Sequence, residues 1–340
     1  MNAVLAALLT LCLAAAAHLA GAAPGWGQTE DRVKLIEGAR KEGKVVWYTS
    51  TNITESKPLL QDFEQQYPFI KGEIFRASGE KTLNRIVTEA RAGRHDFDLV
   101  TISEVDALTE ARMLQPYRSP ESKNFIPEFK HPSGYWTAVY INYATIGYNP
   151  KLVPEKDAPK QWEDLLDPRW KGKISIDQEQ YSWYGTLHKA WGRERAQKYM
   201  RALAKQDIQW RKGHTLIAQL MAAGEFPMGV IYAHRIEEMK KRGAPVEWVS
   251  TVNPIVVTVN AAAISARPQH PNAAKLFYDF LLSKAAQQRL RSLRRIPARS
   301  DVEPFSPRME QSKLKLQVEP PQSGAQFNQT IKEFREIFGL

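Results

Sequence analysis

The fold is decided by the stretch Lys44-Val45-Val46-Trp47-Tyr48-Thr49-Ser50-Thr51-Asn52-Ile53-Thr54-Glu55. Its apolar part predicts a short buried strand, its Thr, Ser and Asn residues predict a polar loop, and the residues that follow predict a helix. Free backbone N–H groups and the helix dipole attract anions at a helix N-terminus. In open α/β sheets, ligands bind beyond the carboxyl ends of the strands, where this loop lies. The stretch therefore predicts either a ligand-binding loop or a simple helix cap formed by Thr51 or Thr54.

The pattern of strand, polar turn and helix recurs along the chain. Strands are predicted at 70–75 and 97–102, and helices follow them near Ser78-Gly79 and Ser103-Glu104. Short strands are also predicted at 174–176, 208–211, 228–232 and 246–249, and longer helices over 181–204 with a break at Gly192, over 272–293 and over 327–338. This alternation is typical of an α/β fold with parallel strands.

Two long β-favouring segments, at 137–148 and 254–264, connect the two sets of elements. Two α/β units joined by two extended segments indicate a hinged protein with its ligand between two lobes. We therefore predict lobe 1 from residues 24–140 and 259–340, including the C-terminal helices, and lobe 2 from residues 141–258. The polar loop of the opening stretch then lies on the wall of the cleft.

The first 23 residues are predicted to be a secretory signal peptide rather than part of the fold. An apolar run over 4–17 is followed by Ala20-Gly21-Ala22, a small-residue cleavage signal. A buried N-terminal helix is the alternative. The single cysteine, Cys12, lies in this segment, so the mature chain would hold no disulfide, thiolate nucleophile or Cys-ligated metal. We expect a periplasmic protein without a membrane span, because no other segment approaches ~18 consecutive apolar residues.

The net charge of +10 favours anionic partners, because 47 Lys and Arg residues face 37 Asp and Glu residues. Five arginines cluster near the C-terminus: Arg289, Arg291, Arg294, Arg295 and Arg299. We interpret this basic run as a solvated helix face or as a docking surface for a transporter. Nucleic-acid binding is not expected, since no aromatic residues alternate with these arginines.

Sequence motifs of enzymes are missing from the chain. It contains no G-x-S-x-G, H-E-x-x-H, P-loop or G-x-G-x-x-G pattern. We therefore expect a binding protein and no enzyme. A secreted hydrolase on the same scaffold remains the alternative, because the residues of a catalytic triad need not be close in sequence.

Five motifs in order carry a resemblance to a known family. They are Val46-Trp47-Tyr48-Thr49-Ser50, Phe97-Asp98-Leu99-Val100, Ile146-Gly147-Tyr148-Asn149, DLLDPRWKGKI at 164–174, and NAAKLFYDFL at 272–281. With these motifs the chain resembles the periplasmic solute-binding proteins of ABC importers, type II fold, in the ferric-iron-binding (family 1 extracellular) branch. The resemblance implies a monomeric two-lobed α/β protein without a cofactor. Such a protein captures a small solute by hinge closure and delivers it to an inner-membrane permease.

The resemblance leaves the ligand open between two classes. Relatives that hold ferric iron do so with a pair of adjacent tyrosines, often with a first-loop histidine and a carboxylate. Fe(III) is a hard ion and prefers the phenolate and carboxylate oxygens among these ligands. Here Glu104 stands at the carboxylate position, Asn52 at the histidine position, and Ala233-His234-Arg235 where the tyrosines are expected, next to Tyr232.

An arginine at this place favours an anion, such as a carboxylate, phosphate ester or phosphonate. Ferric iron with a synergistic anion stays open as the second class. Its metal ligands would then be Glu104, Tyr232 and His234.

The predicted ligand-binding residues come from loops and helix starts along both lobes. They are Thr49, Ser50, Thr51, Asn52, Ser78, Gly79, Glu104, Tyr140, Tyr181, Ser182, Trp183, Tyr184, His214, Tyr232, His234 and Arg235. Five of them have a structural alternative: packing for Tyr181 and Trp183, a surface or capping role for His214, a helix-start charge for Glu104, and a solvated helix face for Arg235.

Overall fold

The computed structural model describes residues 30–320 and 323–340. The predicted signal peptide, including Cys12, lies outside the described residues. Within those ranges no helix is both long enough and apolar enough to span a bilayer.

The chain alternates strands and helices as the sequence predicts. The strands are β1 (Lys44–Thr49), β2 (Lys71–Arg76), β3 (Leu99–Ile102), β4 (Leu114–Gln115), β5 (Trp136–Tyr148), β6 (Ile174–Asp177), β7 (Gln209–Arg211), β8 (Met228–Tyr232), β9 (Glu247–Trp248), β10 (Ile255–Ser265), β11 (Ile296–Pro297) and β12 (Leu316–Val318). The α-helices are α1 (Glu30–Glu42), α2 (Ile53–Gln66), α3 (Gly79–Arg91), α4 (Val105–Glu110), α5 (Tyr181–Trp191), α6 (Arg193–Ala204), α7 (His214–Ala223), α8 (Ala233–Lys241), α9 (Pro271–Leu282), α10 (Lys284–Ser292) and α11 (Gly324–Phe338).

The main path of the sheet runs β2-β1-β3-β10-β5-β8-β6-β7. At one end β1 pairs in parallel with both β2 and β3, and at the other end β6 pairs in parallel with both β7 and β8. The central strands β10 and β5 are antiparallel to each other and to their outer neighbours. Two parallel sets of three strands are thus joined through one antiparallel pair.

Strand β5 passes from one parallel set to the other. Its first half pairs with β10 and β11, and its second half pairs with β8 and β9. All thirteen of its residues are buried, which fits a strand with elements packed on both faces. The two long extended segments predicted at 137–148 and 254–264 are therefore confirmed as β5 and β10. The lobe boundaries remain a prediction.

Large aromatic side chains fill the core on both sides of the central pair. In the first set, the ring of Phe277 on α9 packs at 5.0 Å from that of Trp47 and at 4.7 Å from that of Phe63. In the second set, Trp162 packs at 5.0 Å from Trp183, and its Nε1 donates to the carbonyl of Pro254. Each parallel set therefore has its own packed helices and a rigid base for the loops at its strand ends.

One predicted helix is wrong in its extent. The segment 272–293 is two helices, α9 and α10, because Ser283 adopts an extended conformation with a ψ of 152°. Its Oγ accepts a hydrogen bond from the backbone N–H of Ala286 and so starts a new helix. By contrast, the break predicted at Gly192 is confirmed, since this glycine has a φ of +84° between α5 and α6.

Candidate functional site

A cavity of about 400 Å³ lies between the two parallel sets of strands. Residues that follow the carboxyl ends of all six parallel strands line it: Ser50 and Asn52 after β1, Ser78 and Gly79 after β2, Ser103 and Glu104 after β3, Glu179 and Gln180 after β6, Lys212 to Thr215 after β7, and Arg235 after β8. The central strands contribute Tyr140, Asn142, Thr258 and Asn260. This is the place where open α/β sheets bind ligands, and its volume is that of a small-molecule site.

Five helices of eight or more residues begin at this cavity. They are α2, α3, α5, α7 and α8. The cap of α3 is Ser78, whose Oγ accepts from the backbone N–H of Lys81 at 3.4 Å. At α2 the cap residue is Asn52, and its side chain makes no capping hydrogen bond. The dipoles of these helices add positive potential to the cavity.

The alternative of a simple cap at the opening loop is wrong. Oγ1 of Thr51 lies 3.3 Å from the hydroxyl of Tyr140, and Thr54 is already inside α2. Thr49 is also directed away, since its Oγ1 lies 2.6 Å from Oγ1 of Thr101 on the neighbouring strand. Ser50 and Asn52 are thus the residues of this loop that face the cavity.

Arg295 forms the floor of the cavity with a buried set of partners. Its Nε donates to Oε2 of Glu55 at 2.6 Å, and its Nη1 donates to Oδ1 of Asn142 at 3.0 Å. The guanidinium lies 4.4 Å from the ring centroid of Tyr140. Nη2 has no acceptor among the described residues, although the side chain is only 7% exposed. Two N–H donors are therefore held in place and available to a ligand.

A second guanidinium, that of Arg235, shares the same carboxylate. Its Nη2 donates to Oε1 of Glu55 at 2.8 Å, and its Nη1 donates to Glu238 at 3.3 Å. Burial raises the pKa of Glu55, but the charges of Arg295 and Arg235 outweigh that effect and lower the pKa below its usual value. Glu55 is thus shared by two guanidiniums, and Arg235 has Glu238 as a second acidic partner, whereas Glu55 is the only carboxylate among the ion pairs that the structure describes for Arg295.

His234 supports Arg295 and does not line the cavity. Its Nε2 lies 3.2 Å from Nη1 of Arg295, and because a guanidinium can only donate, Nε2 must accept and the ring proton must lie on Nδ1. Burial lowers the pKa of His234 well below its usual value, and both neighbouring arginines act in the same direction. The ring is therefore neutral.

A stack of rings forms one wall. The centroids of His214 and Tyr232 are 3.6 Å apart, and those of Tyr232 and His234 are 5.8 Å apart. Burial lowers the pKa of His214 to about 4 and raises that of Tyr232. His214 is thus a neutral, partly buried residue at the start of α7 that lines the cavity.

The carboxylates of the cavity are partly neutralised. Asp177 accepts the backbone N–H groups of Glu179 and Gly213 at 2.8 Å and 2.7 Å, and Glu179 forms an ion pair of 3.1 Å with Lys212. Burial raises the pKa of Glu104 to about 7, and the charge of Glu179 adds to that effect. Arg76 lines the same cavity and has no ion-pair partner among the described residues.

Ten of the sixteen predicted residues line the cavity: Ser50, Asn52, Ser78, Gly79, Glu104, Tyr140, Ser182, His214, Tyr232 and Arg235. That they contact a ligand remains a proposal. The solvated-face alternative for Arg235 is wrong, because the residue is 8% exposed. The structure places the other six outside this lining: Thr49, Thr51, Tyr181, Trp183, Tyr184 and His234.

The three aromatic residues predicted at the start of α5 are turned away from the cavity by the helix geometry. Successive residues of an α-helix are about 100° apart, so only Ser182 in this turn faces the cavity. The hydroxyl of Tyr181 accepts from Arg335 at 3.0 Å, and that of Tyr184 donates to Glu333 at 3.2 Å. Trp183 is fully buried against Trp162.

The interpretation of the basic run is wrong at two of its five arginines. Arg295 lies at the cavity, and Arg299 is buried against Glu121. Arg294 has a φ of 65°, which ends the helical path and brings Ile296 into register with Ile141 of β5. The side chain of Arg295 is thereby directed inward.

Several lining residues were not among the predicted ligand-binding residues. They are Arg76, Ser103, Asn142, Asp177, Glu179, Gln180, Gly213, Thr258, Asn260 and Arg295. The sequence could have identified Arg76, Ser103 and Asp177 as candidates, because each stands at the carboxyl end of a predicted parallel strand. Asn142, Thr258 and Asn260 lie inside β-favouring runs, where polar residues facing a cavity resemble ordinary strand positions.

The described residues contain no group of three or more His, Cys, Asp or Glu side chains arranged to hold a metal ion. Of the three metal ligands expected for ferric iron, Glu104 and Tyr232 line the cavity and His234 is held against Arg295.

The chain is similar to known proteins in both sequence and structure. The family model for bacterial extracellular solute-binding proteins matches residues 98–317. A putative 2-aminoethylphosphonate-binding periplasmic protein of Salmonella typhimurium is 24% identical over 295 residues, covering 83% of this chain and 82% of its own length.

Two solved structures are similar over nearly their whole length. AfuA of Actinobacillus pleuropneumoniae, with exogenous fructose-6-phosphate bound, has a TM-score of 0.79 and 26% identity and covers 88% of this chain and 99% of its own. Iron-bound HitA of Pseudomonas aeruginosa has a TM-score of 0.77 and 21% identity, and the match covers 87% of this chain and 99% of HitA. These matches confirm the predicted two-lobed periplasmic-binding-protein fold.

Proposed function

The chain belongs to the family of bacterial extracellular solute-binding proteins, and we propose that its cavity binds a small anionic solute through Arg295 and Arg235. We further propose that the protein works in the periplasm as a monomer, closes about its hinge strands, and presents the solute to an inner-membrane ABC permease. Family members are binding proteins, and the alternative of a secreted hydrolase has no support among the matching proteins.

The observation that carries the proposal is the free Nη2 group of Arg295. This group belongs to a buried guanidinium whose other nitrogens are occupied by Glu55, Asn142 and His234. Because Arg295 lines the cavity, this N–H group can donate to a ligand there. A carboxylate or phosphoryl oxygen meets this need best, because charge-assisted hydrogen bonds are the strongest that a guanidinium makes.

The helix starts around the cavity favour a phosphoryl group among the possible anions. A phosphate ester or phosphonate has three terminal oxygens, which can accept from Arg295 and from backbone N–H groups at helix starts together. The cavity also offers Ser50, Ser78 and Ser182, whose hydroxyls can bind the polar remainder of such a solute. AfuA with its bound fructose-6-phosphate and the Salmonella phosphonate-binding protein support this class.

Ferric iron is the less favoured cargo. Four cationic side chains line the cavity, those of Arg76, Lys212, Arg235 and Arg295, and they repel a trivalent cation. Burial raises the pKa of Tyr140 and of Tyr232, so their phenolates form less readily. Iron could still enter together with a synergistic anion that neutralises these charges.

A thermal-shift screen of the purified protein tests the proposal. The probes are fructose-6-phosphate, 2-aminoethylphosphonate, citrate, inorganic phosphate, ferric citrate and Fe(III) as its nitrilotriacetate complex. We expect a concentration-dependent rise in melting temperature with at least one phosphorylated or phosphonate probe, since a ligand that binds only the folded state stabilises it. A large shift with the iron complexes alone, with a charge-transfer colour, would contradict it.

A further inference from the structure

The C-terminal helix α11 is fastened to the second parallel set by both packing and polar contacts. The ring of Phe334 lies 5.4 Å from that of Tyr181 and 6.0 Å from that of Trp210. The carboxylate of Glu333 accepts from the hydroxyl of Tyr184 at 3.2 Å and forms an ion pair with Arg193 of α6. The C-terminal half of the helix is therefore packed on α5 and α6, whereas the backbone N–H of Gly324 at its start donates to Glu110 of α4.

One side chain of this helix reaches the opposite wall of the cavity. Nη2 of Arg335 donates to Oε1 of Glu80 at 3.1 Å and to Oε2 at 3.3 Å. The same nitrogen donates to the hydroxyl of Tyr181 at 3.0 Å, and Nε donates to it at 3.2 Å. Glu80 follows Gly79 at the start of α3, and Tyr181 precedes Ser182 at the start of α5.

Both partners of Arg335 thus stand next to residues that line the cavity. Gly79 and Ser182 lie on opposite walls, in the helices that start after β2 and β6. In the sequence, Glu80 and Arg335 are 255 positions apart, and Tyr181 and Arg335 are 154 positions apart. A contact that joins the two walls in this way must break when the walls separate.

We propose that Arg335, Glu80 and Tyr181 form an ionic clasp that holds the walls of the cavity together and sets how long a solute stays bound. That the clasp sets how long a solute stays bound rests on the proposed function, whereas that it holds the two walls together does not. The side chain of Arg335 is 44% exposed and that of Glu80 is 21% exposed, so solvent can reach and weaken the pair. The ion pair of Glu55 and Arg235 also joins the two sets of strands, at the floor of the cavity, but its side chains are buried, whereas the pair of Arg335 and Glu80 is open to solvent.

The chain offers a matched control. Arg193→Gln removes an arginine–glutamate pair on the same helix α11, but this pair joins α6 to α11 within one wall. Glu80→Gln removes the pair that crosses the cavity and leaves the packing of α11 untouched. Arg335→Gln tests the crossing pair from its other side.

The first test needs no solute. Spin labels at Arg91→Cys and Lys189→Cys report the distance between the far ends of α3 and α5, and Cys12→Ser removes the one natural thiol. We expect double electron–electron resonance to show a longer, broader distance distribution for Glu80→Gln and Arg335→Gln than for the parent. Arg193→Gln should match the parent.

The second test measures dissociation of fructose-6-phosphate or 2-aminoethylphosphonate by stopped flow. An exposed ion pair contributes roughly 0.2–1 kcal/mol, so Glu80→Gln should raise the dissociation rate about twofold to fivefold. If the parent binds a probe but Glu80→Gln and Arg193→Gln agree in both distance and rate, the clasp is overturned and the proposed function stands. If no probe binds and the distances still change only in the crossing variants, the clasp stands and the proposed function fails.

Discussion

Glu55 and Arg295 lie 240 positions apart, and Oε2 of Glu55 accepts a hydrogen bond of 2.6 Å from Nε of Arg295. Oε1 of the same carboxylate binds Arg235, which comes from the other parallel set of strands. One buried acid therefore orients two guanidiniums from different parts of the chain at the floor of the cavity. We propose that this floor, with Arg295 as its donor, is the part of the cavity that binds an anion.

The strand that carries Tyr232 toward the cavity depends on a glycine. A Cβ at Gly229 would lie 2.5 Å from the carbonyl oxygen of Ser175 on the neighbouring strand, and backbone cannot yield as a side chain can. Gly229→Ala should therefore destabilise the protein by about 2–4 kcal/mol. Its strand partner Gly147 is the comparison, since a Cβ there would lie 2.5 Å from a side-chain methyl group of Ile231 instead of a backbone atom.

Urea unfolding followed by circular dichroism measures both glycine variants. Gly147→Ala should lose less stability than Gly229→Ala. Equal losses would contradict the assignment of the close contact to rigid backbone.

The raised pKa of Glu104 predicts a pH-dependent effect on stability. Burial raises the pKa of this carboxyl to about 7, so between its ordinary value and pH 7 the folded state binds more protons than the unfolded state. Stability from this group is present at low pH and is lost as the pH rises through 7. Glu104→Gln does not titrate and should gain ~2 kcal/mol relative to the parent at pH 8, but little at pH 4.5.

Denaturant melts of Glu104→Gln and the parent at several pH values give this difference. A difference in unfolding free energy that stays constant from pH 4.5 to pH 8 would show that Glu104 does not titrate in this range.

The histidine of the cavity wall predicts the opposite pH dependence. Burial lowers the pKa of His214 to about 4, so below its ordinary value the unfolded state takes up the proton first. The stability that this group contributes is fully present above the ordinary pKa of histidine and falls as the pH drops toward 4. His214→Gln should lose ~2 kcal/mol less than the parent between pH 7 and pH 4.5.

His188 is a matched control for His214. Burial also lowers the pKa of His188 to about 4, but His188 does not line the cavity. His188→Gln should flatten the pH dependence of stability in the same way and leave solute affinity unchanged. Parallel pH profiles for the parent and both variants would refute this account of the buried histidines.

The sequence could predict the strand ends, because local patterns determine them. Alternating apolar residues, polar turns and helix starts such as Ser78-Gly79 mark the carboxyl ends of the parallel strands, after which the lining residues come. The break at Gly192 follows from a conformation that glycine adopts readily. Ten of the sixteen residues predicted from these patterns line the cavity.

The remaining features depend on contacts that no local pattern reveals. The inward direction of Arg295 follows from the left-handed conformation of Arg294 and the pairing of Ile296 with Ile141. In sequence alone, this arginine cannot be distinguished from the exposed Arg291 beside it. The aromatic residues of α5 were predicted correctly as a helix start, but which of four successive residues faces the cavity depends on how α11 packs.

Titration calorimetry of Arg295→Lys against Arg299→Lys tests the central claim most directly. Both arginines are buried and paired with a glutamate, but only Arg295 lines the cavity. Lysine keeps the charge and removes the fork of N–H donors, so Arg295→Lys should weaken binding of the best phosphorylated or phosphonate probe about tenfold to a hundredfold. Arg299→Lys should bind as the parent does, whatever its effect on stability. Equal affinities of the parent and folded Arg295→Lys would contradict the assignment of this cavity as an anion site built on Arg295.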